Sequence, residues 1–217
     1  MSLEQCQLDA ERQWIEEWDS GPVYLRWTEV PLQSGDRAPA AQVIDFERRA
    51  VNLSQLWAEG AALVLFWRHF GCGCGLDRIK RLKQEIARYG ELGASVTIVG
   101  QGDPELAAEY RRKYDLPVPI LSDPSRDAFR AYGVLEGRPE QILYDASEEM
   151  LRRDAQAGRS FAAERKAMGR PPVNSPWQLP AEFVVDGTGV VQLAYRYQYC
   201  EDFPDARVIT SVLERLA

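Results

Sequence analysis

Cys72 and Cys74 stand two residues apart in the stretch Arg68-His69-Phe70-Gly71-Cys72-Gly73-Cys74-Gly75, and His69 is the only histidine in the chain. The chemistry such a window can do is that of sulfur. A thiol attacks only as its thiolate, so its pKa decides whether it is a nucleophile. The continuous apolar run Ala61 to Trp67 precedes the window and reads as a strand buried on both faces of a sheet. After it, Leu76, Ile79, Leu82, Ile86 and Tyr89 recur at helical spacing, with Lys80, Arg81, Lys83, Glu85 and Arg88 on the other face. The cysteines are therefore expected at the start of that helix. Unpaired backbone N–H groups and the helix dipole favour negative charge there. Arg68 and His69 are expected to add positive potential. Gly71, Gly73 and Gly75 are expected to permit a tight turn and leave the sulfurs uncrowded.

Other readings of the pair carry less. Cysteine is often a small buried residue, but a stretch alternating with glycine contributes little core volume. Structural zinc wants four ligands, usually in two short pairs, and only one such pair is present. Copper(I) held by a Cys-x-Cys thiolate pair is chemically reasonable. The remaining cysteines, Cys6 and Cys200, are too scattered to make a disulfide scaffold.

The chain has 217 residues, 45% of them hydrophobic and 27% charged, which suits one soluble α/β domain rather than two cores. A net charge of −7 argues against a nucleic-acid surface. No apolar run is long enough to cross a bilayer. The N-terminus lacks the basic-then-apolar order of a signal peptide, so a cytoplasmic protein with no membrane partner is expected.

Residues 1–34 read as an extension packing on the core. Trp14, Ile15 and Trp18 share one helical face, and Gly21-Pro22 ends the helix. Val23 to Val30 reads as a short strand or an extended cover. The domain proper spans 35–217. Val43 to Phe46 is a weak strand, and Asn52 or Ser54 caps a short helix through Trp57. Ser95 to Val99 and Val118 to Leu121 are further strands. Asp103-Pro104 and Ser122-Asp123-Pro124 open helices. An insert at about 139–178 is charged and helical from about Ala146 to Met168, then Pro-rich. Phe183 to Tyr199 reads as a β-hairpin around Asp186-Gly187-Thr188-Gly189. A last helix buries Val208, Ile209, Val212, Leu213 and Leu216. This alternation implies a central mixed sheet with helices on both faces. The six tryptophans are expected mainly to pack the extension onto the core.

Several segments resemble the peroxiredoxin-like alkyl hydroperoxide reductase/thiol-specific antioxidant family, written AhpC/TSA, of the thioredoxin superfamily. They are Gly35-Asp36-Arg37-Ala38-Pro39, Leu65 to Cys72, Leu121 to Pro124 with Ala131 to Val134, and Leu179 to Asp186 with Gly189-Val190-Val191. The resemblance covers about 35–217. It implies a thioredoxin-like fold, Cys72 as redox nucleophile, and Pro180 as a cis-proline facing it. This chain departs from the pattern at four points. Gly75 stands where many relatives carry the second cysteine of Cys-x-x-Cys. His69 replaces the usual Thr or Ser, Leu65 the usual Pro, and no peroxide-binding arginine stands just before the late strand.

Three functions follow as expectations. The first is a thiol peroxidase: Cys72 attacks a peroxide, becomes sulfenic acid, and a second thiol condenses with it. An external dithiol such as a thioredoxin then reduces the disulfide. Arg68 and His69 would steady the developing charge. The second is a disulfide reductase or isomerase using Cys72 and Cys74, whose small ring should raise the reduction potential. The third is an interaction or copper(I)-binding protein on a redox fold. Cys200, at the end of the late hairpin, is either the resolving thiol or a free thiol, and Cys6 is structural or exposed. The enzyme readings call for no cofactor and no resident metal. The resemblance adds a homodimer as an expectation.

Overall fold

The computed structural model describes residues 2–142 and 174–217, together with Ala163, Lys166 and Ala167. Helix α1 spans Leu3–Ser20 and is capped by the Ser2 hydroxyl, which accepts from the Gln5 N–H. Strands β1 (Gln42–Ile44) and β2 (Ala50–Asn52) follow, then a 3-10 helix (Leu53–Trp57) capped by Asn52. Strand β3 (Ala62–Trp67), helix α2 (Gly73–Glu91), strand β4 (Ser95–Gly100), helix α3 (Pro104–Lys113) and strand β5 (Ile120–Ser122) form the alternating core. Short helices α4 (Asp127–Ala131) and α5 (Pro139–Ile142), the hairpin β6 (Ala181–Val185) and β7 (Val191–Arg196), and helix α6 (Ala206–Glu214) complete it.

The seven strands lie in the order β2-β1-β5-β4-β3-β6-β7. β3, β4 and β5 run parallel, while β6 joins β3 antiparallel. Alternate residues of β3 serve the two faces. Leu63, Leu65 and Trp67 pack with α1, α2, α3 and α6. Val64 and Phe66 pack with the 3-10 helix and α4. Every residue of β3 is buried, as its unbroken apolar run requires.

Several elements differ from expectation. The hairpin of β1 and β2 was not legible, because its turn depends on Arg48 in a left-handed conformation (φ 62°) and on the Asp45 carboxylate. That carboxylate accepts from the N–H groups of Glu47 and Arg49. Val23 to Val30 forms no strand; it is an extended cover held where the Glu136 carboxylate accepts from the Val23 and Tyr24 N–H groups. Helix α4 begins later than Ser122-Asp123-Pro124 suggests. Even so, the Asp123 carboxylate accepts from the N–H groups of Asp127, Ala128 and Phe129. Val208 is exposed rather than buried. The helix expected over 146–168 lies outside the described residues, save Ala163, Lys166 and Ala167, which are helical.

Asp205 caps α6 and supplies a pH signature. Its side chain accepts from the Arg207 guanidinium at 2.9 and 2.8 Å and from the Arg207 N–H at 2.9 Å. Those contacts depress its pKa to about 2 from an ordinary 3.8. A depressed carboxylate stabilises the fold above its unfolded pKa, and that contribution is lost as pH falls from 3.8 through about 2. In urea titrations over this interval, the midpoint of Asp205→Asn should fall less steeply than that of the native chain.

Candidate active site

Cys72 is the N-cap of α2, with extended backbone (φ −76°, ψ 135°), and the helix runs on from Gly73 for 19 residues. The strand-to-helix junction thus sets Cys72 at the first turn of α2, although in the disulfide its sulfur accepts no capping hydrogen bond from the helix N–H groups. Cys72 is half-buried, whereas Cys74, inside the first turn, is only 5% exposed. The two are joined by a disulfide with their Cα atoms 5.3 Å apart.

The expected tight turn forms at Phe70-Gly71, where the Cys72 N–H donates to the His69 carbonyl at 3.4 Å, but it needs no left-handed glycine. None of Gly71, Gly73 and Gly75 has positive φ. What Gly75 supplies is room: a Cβ there would lie 3.0 Å from Trp67 Nε1 and 3.0 Å from Tyr110 Oη. A cysteine at that position would need both side chains to give way by a few tenths of an ångström.

The turn entering α2 is fixed from three sides. Phe70 is buried against Gly100 and Gly102, where an added Cβ would meet its ring at 2.6 and 2.4 Å. The Gly71 N–H donates to His69 Nδ1 at 3.1 Å. The Gln101 side-chain amide donates to the carbonyls of Arg68 and Ser175, and its oxygen accepts from the Ser175 N–H at 2.8 Å. Gly100→Ala should therefore push Phe70 out of place. The expected cost is about 1–3 kcal/mol of stability, read as a lower urea midpoint, together with slower oxidation of the reduced Cys72 thiol.

Arg68 and His69 are both buried, at 3% and 1% exposure. The Arg68 guanidinium bears on His69 Nε2 and donates to the Pro176 carbonyl at 2.5 Å. Its Nε has no hydrogen-bond partner, and no carboxylate among the described residues pairs with it. Burial pulls its pKa down, and its interaction with the Cys200 sulfur works the other way. A cation desolvated in this way favours an anion beside it.

These groups line one narrow cleft, with Cys72, Cys74, Arg68, His69, Pro180 and Cys200 among its walls. The structure thus brings together every residue singled out for the site. Cys200 is buried (5% exposed), and its thiol donates to the Gln141 and Ile142 carbonyls at 3.4 and 3.5 Å. It lies beyond the end of β7, which stops at Arg196 rather than Tyr199. Burial pushes its pKa up and Arg68 pulls it down, with a net rise. Cys6, on the buried face of α1, is fully buried in the main core and does not line the cleft.

The cis geometry expected at Pro180 is corrected: among the described residues no peptide bond is cis. The Pro180 carbonyl accepts from the Tyr197 N–H at 3.2 Å, and the preceding Leu179 N–H donates to Leu135. The hairpin is thereby continued outward through an extended trans bond, the isomer favoured by default.

Two features of the site were missed in the sequence. Arg78, one turn below Cys74, makes a two-bonded ion pair with Glu182 at 2.7 and 3.0 Å and a further bond to Glu85 at 2.7 Å. The Tyr197 hydroxyl donates to Glu182, and burial together with that carboxylate raises the Tyr197 pKa well above its ordinary value. Arg78, Glu182 and Tyr197 also line the cleft. The signal was a glutamate inside the apolar strand Ala181 to Val185. Secondly, the N-terminal helix contributes a wall: Trp14 and Trp18 join Cys74, Cys200 and Trp177 in one apolar cluster with Cys72 at its edge. Trp18 stacks on Trp177 at 4.7 Å, and Trp177 Nε1 donates to the Glu17 carbonyl at 2.7 Å.

Residues 34–194 match the AhpC/TSA family. The chain belongs to that family. The AhpC/TSA match covers the cysteine pair and the sheet up to residue 194 in β7, but not α1, which carries Trp14 and Trp18. A curated relative, the chloroplastic thioredoxin-like protein AAED1 of Arabidopsis thaliana, is 23% identical over 104 residues, 48% of this chain. The chain spans 42% of the length of that relative. Among solved structures, the thiol peroxidase from Chromobacterium violaceum superposes with a TM-score of 0.62 at 16% identity, covering 89% of this chain and 91% of that one. The peroxidoxin BcpB from Mycobacterium tuberculosis superposes with a TM-score of 0.60 at 16% identity, covering 86% of this chain and 99% of that one. These likenesses show a thioredoxin-like, peroxiredoxin-type fold. No helix among the described residues is long and apolar enough to cross a membrane. No group of three or more His, Cys, Asp or Glu among them is placed to hold a metal ion.

Proposed function

We propose that the protein is a thiol peroxidase in which Cys72 attacks and Cys74 resolves. The observation that carries this is the half-buried sulfur at the N-cap of a 19-residue helix, already joined to its neighbour. In the reduced state the Cys72 thiolate attacks one peroxide oxygen. The O–O bond breaks, the other oxygen leaves as water or alcohol after taking a proton, and Cys72 becomes sulfenic acid. The Cys74 thiol then displaces hydroxide, which leaves as water, and the disulfide closes. An external dithiol, a thioredoxin by the family's analogy, returns both thiols. Arg68 is the cation that steadies the charge developing in the cleft, while His69 holds the turn that carries the nucleophile.

The disulfide itself favours a second reading, a thiol–disulfide oxidoreductase that exchanges the Cys72–Cys74 bond with a substrate disulfide. The two are separated by supplying the reduced protein with hydrogen peroxide or with a model protein disulfide, using dithiothreitol and then thioredoxin as reductant. Peroxide consumption proportional to protein supports the peroxidase. Rapid exchange with the protein disulfide but no peroxide consumption replaces it by the second reading. The cytoplasm as compartment and a homodimer as assembly belong to the same proposal, to be checked by fractionation of the source cell and by sedimentation.

A further inference from the structure

Cys200 takes no part in the chemistry described so far, yet it stands in the same cleft as the redox pair. It shares with Cys74 one buried apolar cluster, formed with Trp14, Trp18, Trp177 and Leu179. Among the described residues its thiol donates to two backbone carbonyls, at 3.4 and 3.5 Å, and an S–H is a weak donor. Beside it lies the Arg68 guanidinium, buried, without a carboxylate among the described residues and with Nε unpartnered. A buried cation without its counter-ion is costly; the Glu182 carboxylate on the same cleft is taken up by Arg78, and the Cys200 sulfur is the group whose charge bears on Arg68.

We propose that Cys200 is a third redox thiol, which attacks Cys74 of the Cys72–Cys74 disulfide and releases Cys72. The inference rests on the reading of that pair as redox-active. The step is thiol–disulfide exchange and needs no added oxidant. The Cys200 thiol loses its proton, and its sulfur forms a bond to Cys74 as the Cys74–Cys72 bond breaks. Cys72 departs with the electron pair and the proton passes to it or to water at the mouth. Attack at Cys74 is favoured on two grounds. Cys74 and Cys200 are packed in the same cluster, whereas Cys72 lies at its edge. The leaving sulfur is then the one at the start of α2, and the better-stabilised thiolate leaves faster. The exchange parks the disulfide in the interior and returns a free Cys72 to the mouth before any external reductant arrives.

The test is a disulfide map of the full chain. Reduced protein is oxidised at low concentration with glutathione disulfide, remaining thiols are alkylated, and the chain is digested with trypsin without reduction. Cleavage after Arg68, Arg78, Arg196 and Arg207 puts Cys72 and Cys74 on one fragment and Cys200 on another. The native chain should yield a fraction in which these fragments are joined through Cys74 with Cys72 alkylated. Cys72→Ser and Cys72→Ala should yield the joined species as the main product, and Cys200→Ser should lose it entirely. Circular dichroism confirms that each variant is folded. Cys200 fully alkylated in the native chain and in both Cys72 variants would overturn the proposal, as would a link found only between two chains or a link of Cys74 to Cys6. The readout does not involve peroxide, so failure of the peroxidase reading leaves the map unchanged.

Discussion

Cys72→Ser should abolish peroxide turnover, lowering kcat/KM roughly a thousandfold or more, while Cys74→Ser should keep the first half of the reaction. The two sulfurs are only two residues apart, but their surroundings differ. Cys72 caps α2 and is partly open, whereas Cys74 is tucked into the first turn at 5% exposure. A serine hydroxyl at 72 ionises far above neutral pH, and the helix terminus cannot supply that difference. Loss of Cys74 leaves the attacking thiolate in place but removes its nearest resolving partner. In a single-turnover experiment Cys74→Ser should consume about one equivalent of peroxide and retain a sulfenic acid that a dimedone-type reagent traps. Cys72→Ser should consume none. Equal activity in the native chain and Cys72→Ser would contradict the assignment.

The largest stability effect is expected at Glu182. Its carboxylate, 1% exposed, receives two bonds from Arg78, which is 4% exposed, inside a strand that is otherwise apolar. Burial works against charge on Arg78, but Glu182 and Glu85 outweigh it and hold the guanidinium firmly protonated. Removing one partner of a buried pair strands the other, at a cost of about 3–5 kcal/mol. Glu182→Leu should lose part of that by urea denaturation, because Arg78 keeps its 2.7 Å bond to Glu85, whose side chain is 15% exposed. The double variant Arg78→Met/Glu182→Leu should regain some of it, because it removes both deeply buried charges and leaves only Glu85, 15% exposed and bonded by the Tyr89 hydroxyl, without its cation. A single variant no less stable than the native chain would show that the pair carries no such penalty. Since Arg78, Glu182 and Tyr197 all line the cleft, the single variant should also slow closure of the Cys72–Cys74 disulfide.

The contrast between these residues shows what the sequence carries. The junction of β3 and α2 was legible because an unbroken apolar run changes there to a helical period, and that junction places the cysteines. The order of core strands followed from the same alternation, and the late hairpin from Asp186 to Gly189. The β1–β2 hairpin was not legible, because a left-handed arginine and an aspartate carboxylate make its turn where no glycine marks it. The partnership of Arg78 with Glu182 joins residues 104 apart in the chain, and only packing reveals it. Cys72, Cys74, Arg68, His69 and Cys200 were found by type and position and Pro180 by the family resemblance, whereas Arg78, Glu182 and Tyr197 were missed. The surroundings were not legible: the trans bond before Pro180, the close approach of Trp67 and Tyr110 to Gly75, and the wall that Trp14 and Trp18 bring from outside the family match.

The central claim is that α2 begins on an ionised sulfur. It is tested most directly by following alkylation of each cysteine in the fully reduced protein as a function of pH, resolved fragment by fragment. Cys72 should react with a midpoint below the ordinary thiol value of about 8.5, and Cys200, pushed up by burial, with a midpoint above it. A Cys72 midpoint at or above that of Cys200 would contradict the account.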